Sequence, residues 1–413
     1  MSVKLGGRFS TIWCSSLLKR HANGWACGMP ERPKQVVIAG ISTRALAASA
    51  ARAGYRVTAV DAFGDLDLRR TAEVISKRFE EGAQFRPMTA ATAADQAAGS
   101  LACYTSNFEN YPAAVERLAK GRTLLGNPAS VLTRVRDPLL LMQRLGQLGF
   151  STPKTRSSVP VNGNVQGSWM LKPRRSGGGH GTRVWRQNEP FPRTHYLQQR
   201  LAGPPASILF AADGYQAVVL GISRQIVGDT RMGARGFRYC GSLLGPPGIL
   251  FPGQPKLMEV AERLASAVTK EFGVRGLNGI DFIATDGVPC PIEVNPRYSA
   301  SMELLERGEA MSIFQVHEQA CGAVLPTGRI ESEGIHGKAV VFARKNVVMG
   351  DTREWLDDTC LADIPHPREK IRRGHPICTV FASGSDADSC YERLVSRAAA
   401  VYRVTESGGR SAA

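Results

Sequence analysis

A chain of 413 residues exceeds the roughly 250–300 over which one hydrophobic core keeps growing, so two or three domains are expected. With 43% hydrophobic and 21% charged residues and no apolar run near the roughly 20 residues that cross a bilayer, the composition excludes disordered, fibrous and membrane-spanning classes. The formal charge of +16 is the excess of 52 basic over 36 acidic residues, mostly scattered arginines with no basic run interleaved with aromatics. Nucleic acid is therefore not the expected partner, and a polyanionic ligand suits the balance equally.

The nine cysteines lie far apart with no CxxC pair, and the histidines show no metal-ligand spacing. Both point to reduced thiols in a cytoplasmic protein rather than to disulfides or zinc. Residues 1–34 carry Lys4, Arg8, Lys19 and Arg20 but no acid before Glu31. That composition is similar to an organellar transit peptide, yet it lacks a clean amphipathic helix, and the segment is read as an extension outside the folded part.

Structure is expected from Gln35. Val36–Gly40 is a β-branched run ended by glycine, Arg44–Ala53 an Ala-rich helix closed by Gly54, and Arg56–Asp61 a second strand. The resulting βαβ unit places Asp61 where a dinucleotide fold holds its ribose. The loop Gly40-Ile41-Ser42-Thr43-Arg44 lacks the second and third glycines of that fingerprint, so NAD is not expected. Leu101–Tyr104 and Thr123–Gly126 read as further strands and Ala113–Ala119 as a short helix. Asp137-Pro138 is an N-cap followed by proline at the first helical position, opening a helix that runs to Gly149. The Ser/Pro/Gly-rich stretch 151–168 marks a boundary. Beyond residue 335, Gly337–Ala343 and Pro376–Ala382 read as strands and Asp386–Tyr402 as a last helix. The expected organisation is a Rossmann-like domain over 35–128, a second α+β domain over 129–334, a small C-terminal α+β appendage over 335–405 and a tail over 406–413.

Chemistry concentrates in two places. Trp169–Pro173 is an apolar strand with Lys172 near its end, running into Ser176-Gly177-Gly178-Gly179-His180-Gly181. Glycines let backbone N–H groups approach phosphate oxygens and lysine adds a point charge, although no Gly-Lys-Ser/Thr follows to make a Walker loop. The second place is a hairpin: Gly279–Ala284, the turn Thr285-Asp286-Gly287, and Pro291–Arg297. A period of two puts Glu293, Asn295 and Arg297 on one face, and antiparallel pairing can bring Asp281 beside them. Two carboxylates and an amide oxygen are the hard ligands Mg²⁺ prefers, with phosphate oxygens completing its shell, while Arg297 offers a guanidinium to a phosphoryl group.

At these residues the chain resembles the ATP-grasp superfamily, and most closely its predicted ATP-dependent carboligases related to biotin carboxylase. The likeness is carried by Ile292-Glu293-Val294-Asn295-Pro296-Arg297, by Asp61-Ala62-Phe63-Gly64-Asp65-Leu66-Asp67, and by Ile364-Pro365 with Gly374-His375-Pro376-Ile377-Cys378. It implies an α/β chain with a Rossmann-like pre-ATP-grasp domain, then an ATP-grasp fold of two α+β subdomains hinged near 196–201. Lys172 would meet the α- and β-phosphates, and loop 176–181 would close over the β- and γ-phosphates. Gln198 or Gln199 and the Leu201 backbone N–H would read adenine. Asp281, Glu293 and Asn295 would hold Mg²⁺, with Mn²⁺ as a substitute, and Arg297 would face the γ-phosphate. Relatives carry a second ATP lysine where this chain has Pro138, leaving Arg134 or Arg136 to replace it. The implied activity is an ADP-forming carboxylate–amine or carboxylate–thiol ligase working through an acyl-phosphate on small molecules. Relatives among genes for one-carbon cofactor synthesis suggest a pterin or furan substrate, and a homodimer is compatible. The alternatives are a small-molecule kinase of the same fold and a non-catalytic ATP-binding protein. A biotinyl-lysine motif is absent from the sequence.

Overall fold

Strand β1 (Gln35–Gly40) buries all but its first residue, as a β-branched run between two helical layers should. It pairs in parallel with β2 (Arg56–Asp61), beyond which β3 (Glu73–Ile75) lies, and on its other side with β4 (Leu101–Tyr104) and then β5 (Thr123–Leu125). The order β3-β2-β1-β4-β5 reverses direction at β1. A crevice therefore opens outside the carboxyl ends of β1 and β4, where such sheets bind ligands. Gly40 is required there, because a Cβ would stand 1.9 Å from Thr105 Oγ1. The structure is a computed structural model that describes residues 33–76, 85–159, 167–187, 189–285, 287–307, 311–329 and 334–407. The expectations for residues 1–32, for Asp286 in the hairpin turn and for the end of the tail lie outside these.

Asp61, weighed above as a ribose ligand, is fully used inside the fold. It accepts from the Thr43 backbone N–H at 2.6 Å and hydroxyl at 2.8 Å, and from the Phe63 and Gly64 N–H groups at 2.7 and 2.8 Å. It ties the loop after β1 to the turn after β2 and leaves no oxygen for a nucleotide.

After the helix Pro138–Gln147, whose Asp137 cap accepts from Leu139 and Leu140 N–H as the sequence suggests, come two sheets. The smaller holds β6 (Thr155–Arg156), β7 (Trp169–Pro173), β8 (Arg183–Val184) and β9 (His195–Gln199), in the order β6-β9-β7-β8. One face packs Trp169, Leu171, Trp185 and Leu197 together, which turns Lys172 and its cross-strand partner Tyr196 the other way. The larger sheet is built from β10 (Pro205–Asp213), β11 (Ala217–Val227), β12 (Tyr239–Leu244), β13 (Arg275–Thr285) and β14 (Val288–Asn295). From the C-terminal segment it adds β15 (Ile335–Phe342), β17 (Leu361–Ala362) and β19 (Pro376–Gly384), while β16 (Val347–Val348) and β18 (Lys370–Ile371) pair apart. The order is β14-β13-β10-β11-β12-β15-β19-β17, so the strands of the expected appendage share this sheet. One face packs on helices Leu257–Phe272 and Ala387–Ser407 in a core that includes Phe282, Leu264 and Leu394.

The opposite face meets the Rossmann-like layer in a second core that joins Leu46 and Ala50 to Leu304 and Phe314. A buried ion network fastens this junction. Arg44 pairs with Glu303 and with Asp363, and Lys338 reaches Glu303 from β15. Burial works against the Glu303 charge, but Arg44 and Lys338 outweigh it and hold the carboxyl well below the usual range. Among the described residues, no helix is long and apolar enough to cross a membrane.

Candidate active site

The hairpin of β13 and β14 sets the centre. Asp281 stands directly opposite Glu293 and Gly279 opposite Asn295, before the register shifts between Asp281 and Phe282. Directly opposed residues share a face, so the two carboxylates point to the same side, where like charges repel. Burial first, and Glu293's charge second, push the Asp281 carboxyl up to about 6, against the pull of Ser207 and Asn295. Asn295 Nδ2 donates to Asp281 Oδ2 at 2.9 Å and Gln225 Nε2 to Oδ1 at 3.0 Å. Glu293 goes the other way. Burial opposes its charge, but Arg136 and Lys172 outweigh that and lower its pKa.

Arg136, just before the Asp137 cap, donates from Nη1 to Glu293 Oε1 at 2.5 Å and to the Val294 carbonyl at 2.9 Å. Its Nη2 meets Asn110 Oδ1 at 2.8 Å. Arg134 instead turns outward to the Glu271 carbonyl at 3.0 Å. Of the two arginines weighed for the missing lysine, only Arg136 reaches the carboxylates.

Lys172 crosses from the small sheet. Its Nζ donates to Gln198 Oε1 at 3.0 Å and lies 5.7 Å from the centre of the Tyr196 ring. Burial works to discharge it, but Tyr196 and Glu293 prevail and raise its pKa, so it stays protonated. Gln198 also donates to the Ile292 carbonyl at 3.2 Å, bridging the two sheets, whereas Gln199 accepts from the Lys154 N–H at 3.3 Å on the far side. The structure thus brings Gln198 to Lys172 and the hairpin, and leaves Gln199 apart from them. Leu201 follows β9 in the connection to β10.

The glycine tract folds over this centre. Ser176 Oγ donates to the His180 carbonyl at 2.6 Å, and the Ser176 carbonyl accepts from Asn110 Nδ2 at 3.2 Å and Arg136 Nη2 at 3.3 Å. The Gly178 carbonyl takes the Tyr239 N–H at 3.1 Å. Gly177 is not among the positive-φ glycines, while Gly178, Gly179 and Gly181 have φ of 60°, 74° and 72°, the left-handed region glycine enters without penalty. A Cβ on Gly179 would stand 1.8 Å from the Phe237 carbonyl, so the tract lies close on the next loop.

Arg297 is buried, and its Nη2 lies 2.8 Å from Glu109 Oε1. Neither Glu109 oxygen makes a directed hydrogen bond, and Arg297 Nε and Ser299 Oγ also go without a partner. Glu109 and Asn110 belong to the short turn Phe108–Asn110 after β4, which the reversal of strand order aims at the hairpin. Sequence reasoning passed over both, although their place just past the carboxyl end of a recognised strand was the available signal.

The residues fit a divalent cation. Among those described, no group of three or more His, Cys, Asp and Glu is arranged as a complete metal site. Two opposed carboxylates, one held up in pKa by burial and then by the charge of the other, are what a bound dication would relieve, and an incomplete protein shell is what Mg²⁺ uses when phosphate oxygens supply the rest. Asp281 and Glu293 would hold it, with Asn295 beside them.

Comparison with known proteins bears on the domain and the fold. Residues 135–301 match the ATP-grasp domain family. An uncharacterized protein of Methanocaldococcus jannaschii is 22% identical over 373 residues, covering 84% of this chain and 88% of that one. The N5-carboxyaminoimidazole ribonucleotide synthetase of Thermus thermophilus superposes with a TM-score of 0.63 at 19% identity, over 90% of this chain and 98% of its own. Biotin carboxylase of Campylobacter jejuni gives 0.65 at 14%, over 88% and 90%. The L-amino acid ligase of Bacillus licheniformis gives 0.63 at 14%, over 88% and 97%. With its Rossmann-like sheet, its paired-sheet clamp and the carboxylate hairpin on the larger sheet, the chain contains an ATP-grasp domain over residues 135–301 and shares its overall fold with these structures.

Proposed function

We infer that the protein is an ATP-dependent, ADP-forming ligase that activates a small-molecule carboxylate and passes its acyl group to an amine or a thiol. The observation that carries this is the convergence of Lys172, Arg136 and Arg297 on the opposed pair Asp281 and Glu293, two carboxylates in a ring of cations. In this reading ATP lies between the small sheet and the hairpin. Gln198 and the Leu201 N–H read adenine, and Lys172 with loop 176–181 grips the phosphates. Magnesium held by Asp281, Glu293 and Asn295 would neutralise charge on the triphosphate. Arg136 supplies the charge that relatives draw from a second lysine.

The acceptor carboxylate attacks the γ-phosphorus, the bond to the β-phosphate oxygen breaks, and ADP leaves with the electron pair. The amine then attacks the acyl-phosphate carbon, and inorganic phosphate departs as the amine loses a proton. Arg297 sits where charge builds on the transferred group, so its contribution grows in the transition state. Glu109 holds the Arg297 guanidinium in place. Positioning and charge neutralisation suffice, and no protein nucleophile is needed. A pterin- or furan-type substrate of one-carbon cofactor synthesis fits this reading.

An ADP-release assay over candidate acids crossed with glutamate and other amines tests it. ADP and phosphate should form in equal amounts with an amide, and only with both substrates present. A stable phosphorylated product made without amine would identify a kinase, and undiminished turnover in Glu293→Gln would refute the site.

A further inference from the structure

The loop that closes on the glycine tract carries a cation that the reaction above leaves idle. Arg238 is half-buried, with its guanidinium carbon 3.9 Å from the centre of the Phe342 ring and its Nη1 donating to the Gly374 carbonyl at 2.5 Å. The arginines at the ion network and the hairpin each have a carboxylate: Arg44 has Glu303, Arg136 has Glu293 and Arg297 has Glu109. Among the described residues no carboxylate pairs with Arg238, and its Nε and Nη2 donate to none of them. Burial accordingly pulls its pKa below the usual arginine value, and its charge adds to the burial that lowers His180 in the glycine tract.

Further basic residues lie in the two backbone segments that it touches. Arg235 is exposed and its carbonyl accepts the Arg238 N–H at 3.3 Å, while Arg372 and Arg373, both exposed, lead directly into Gly374. A guanidinium partly withdrawn from water with no carboxylate beside it is costly unless an anion offsets it. Stacked on an aromatic ring with one edge uncommitted, it is shaped to take a planar or tetrahedral oxyanion. The place is next to the chemistry. Tyr239, the following residue, is bonded to Gly178 through its N–H and turns its hydroxyl to Ser242 Oγ at 2.9 Å. Burial, then the neighbouring Cys240 and Asp281, raise the pKa of that phenol against the pull of Ser242.

We propose that Arg238, with Arg235, Arg372 and Arg373, forms an anion subsite for the acceptor substrate, so that the molecule activated here carries a further carboxylate or phosphate group. The proposal rests on the ligase reading above.

The test uses the full chain saturated with Mg²⁺ and a non-hydrolysable ATP analogue, into which inorganic phosphate or tricarballylate is titrated by calorimetry. The wild type should bind at least one of them, and whichever binds more tightly tells a phosphate-bearing from a carboxylate-bearing substrate. Arg238→Gln should weaken that binding by about tenfold or more, as loss of a charge-assisted fork contact does. Affinity for the analogue should stay unchanged, and Arg224→Gln, at an exposed position on β11, should behave as wild type. The double variant Arg372→Gln/Arg373→Gln removes only exposed charge and should weaken the anion without disturbing the fold. Absence of anion binding by the wild type, or equal binding by Arg238→Gln, overturns the proposal. So does a loss confined to the analogue, which would assign Arg238 to the nucleotide's own phosphates. A chain that binds the anion but never releases ADP with any acid would sink the ligase reading while leaving the anion site standing.

Discussion

Asp281→Asn should make the metal-free protein more stable while abolishing its activity. Raising the Asp281 carboxyl from 3.8 to about 6 costs the ionised protein about 3 kcal/mol, at about 1.4 kcal/mol for each tenfold change in proton affinity. Because the folded value lies above the unfolded one, the native state holds the proton more tightly. The penalty is absent below about pH 4, grows as pH rises, and is complete above about pH 6. Asparagine removes it but offers one acceptor oxygen where Asn295 and Gln225 now use two, which returns about 1 kcal/mol. The net gain is about 2 kcal/mol, and thermal unfolding in a chelator at neutral pH should show it as a rise of a few degrees. At about pH 4.5 the gain should shrink toward zero. With Mg²⁺ and ATP at about a hundredfold over Kd the order should reverse, since the wild type then gains about 2.7 kcal/mol that the variant lacks. A variant less stable than wild type at both pH values would refute the reasoning. The bonds from Asn295 and Gln225 would then outweigh burial and repulsion together, and the pair would not be a site waiting for a cation.

Glu293→Gln should lower Mg²⁺-dependent ADP release by at least about a hundredfold, because one of two carboxylate ligands is lost; a metal titration of the variant checks the cause. Lys172→Met should weaken ATP binding by about tenfold to a hundredfold, measured by equilibrium titration, with the fold intact by circular dichroism. Gly179→Ala places a Cβ 1.8 Å from the Phe237 carbonyl in a left-handed conformation, and should lose ATP affinity. Gly177→Ala meets open space and should behave within about 0.5 kcal/mol of wild type. Equal behaviour of the two alanines would show that the tract does not rest on the 237–239 loop. Arg44→Met leaves Glu303 with Lys338 alone and strips Asp363 of its ion pair, at a cost of about 3–5 kcal/mol in chemical denaturation.

The hairpin shows how much of the site was open to sequence reasoning. Alternation of charged and apolar residues over 291–297 puts Glu293, Asn295 and Arg297 on one face, a turn signal a few residues earlier allows Asp281 to come beside it, and the observed register opposes Asp281 to Glu293. The shift between Asp281 and Phe282 leaves Ile292 outside the ladder with its carbonyl taken by Gln198 of β9, a partner that no pattern within the hairpin marks. The Asp137 cap was equally plain, since capping is a contact within four residues. Its neighbour Arg136 was not. Whether Arg134 or Arg136 enters the site depends on the direction in which the helix Ala129–Val135 ends, and the Arg136 partner Glu293 is 157 residues away.

By itself the sequence determined whatever rests on short-range order. Period-two and helical patterns place the strands of the Rossmann-like sheet, the Lys172 strand, its glycine tract and the carboxylate hairpin, and residue type alone marks those parts for phosphate and a divalent cation. Tertiary structure decided which of these meet. It put β15 and β19 into the same sheet as the hairpin and spent Asp61 on two turns. It drew Glu109 to Arg297 and left Arg238 half-buried with no carboxylate partner among the described residues. The physical reason is that backbone periodicity is set by neighbours a few residues apart. The pairs that close the site, Arg136 with Glu293 and Arg297 with Glu109, join chain segments more than a hundred residues apart, whose approach no local pattern encodes.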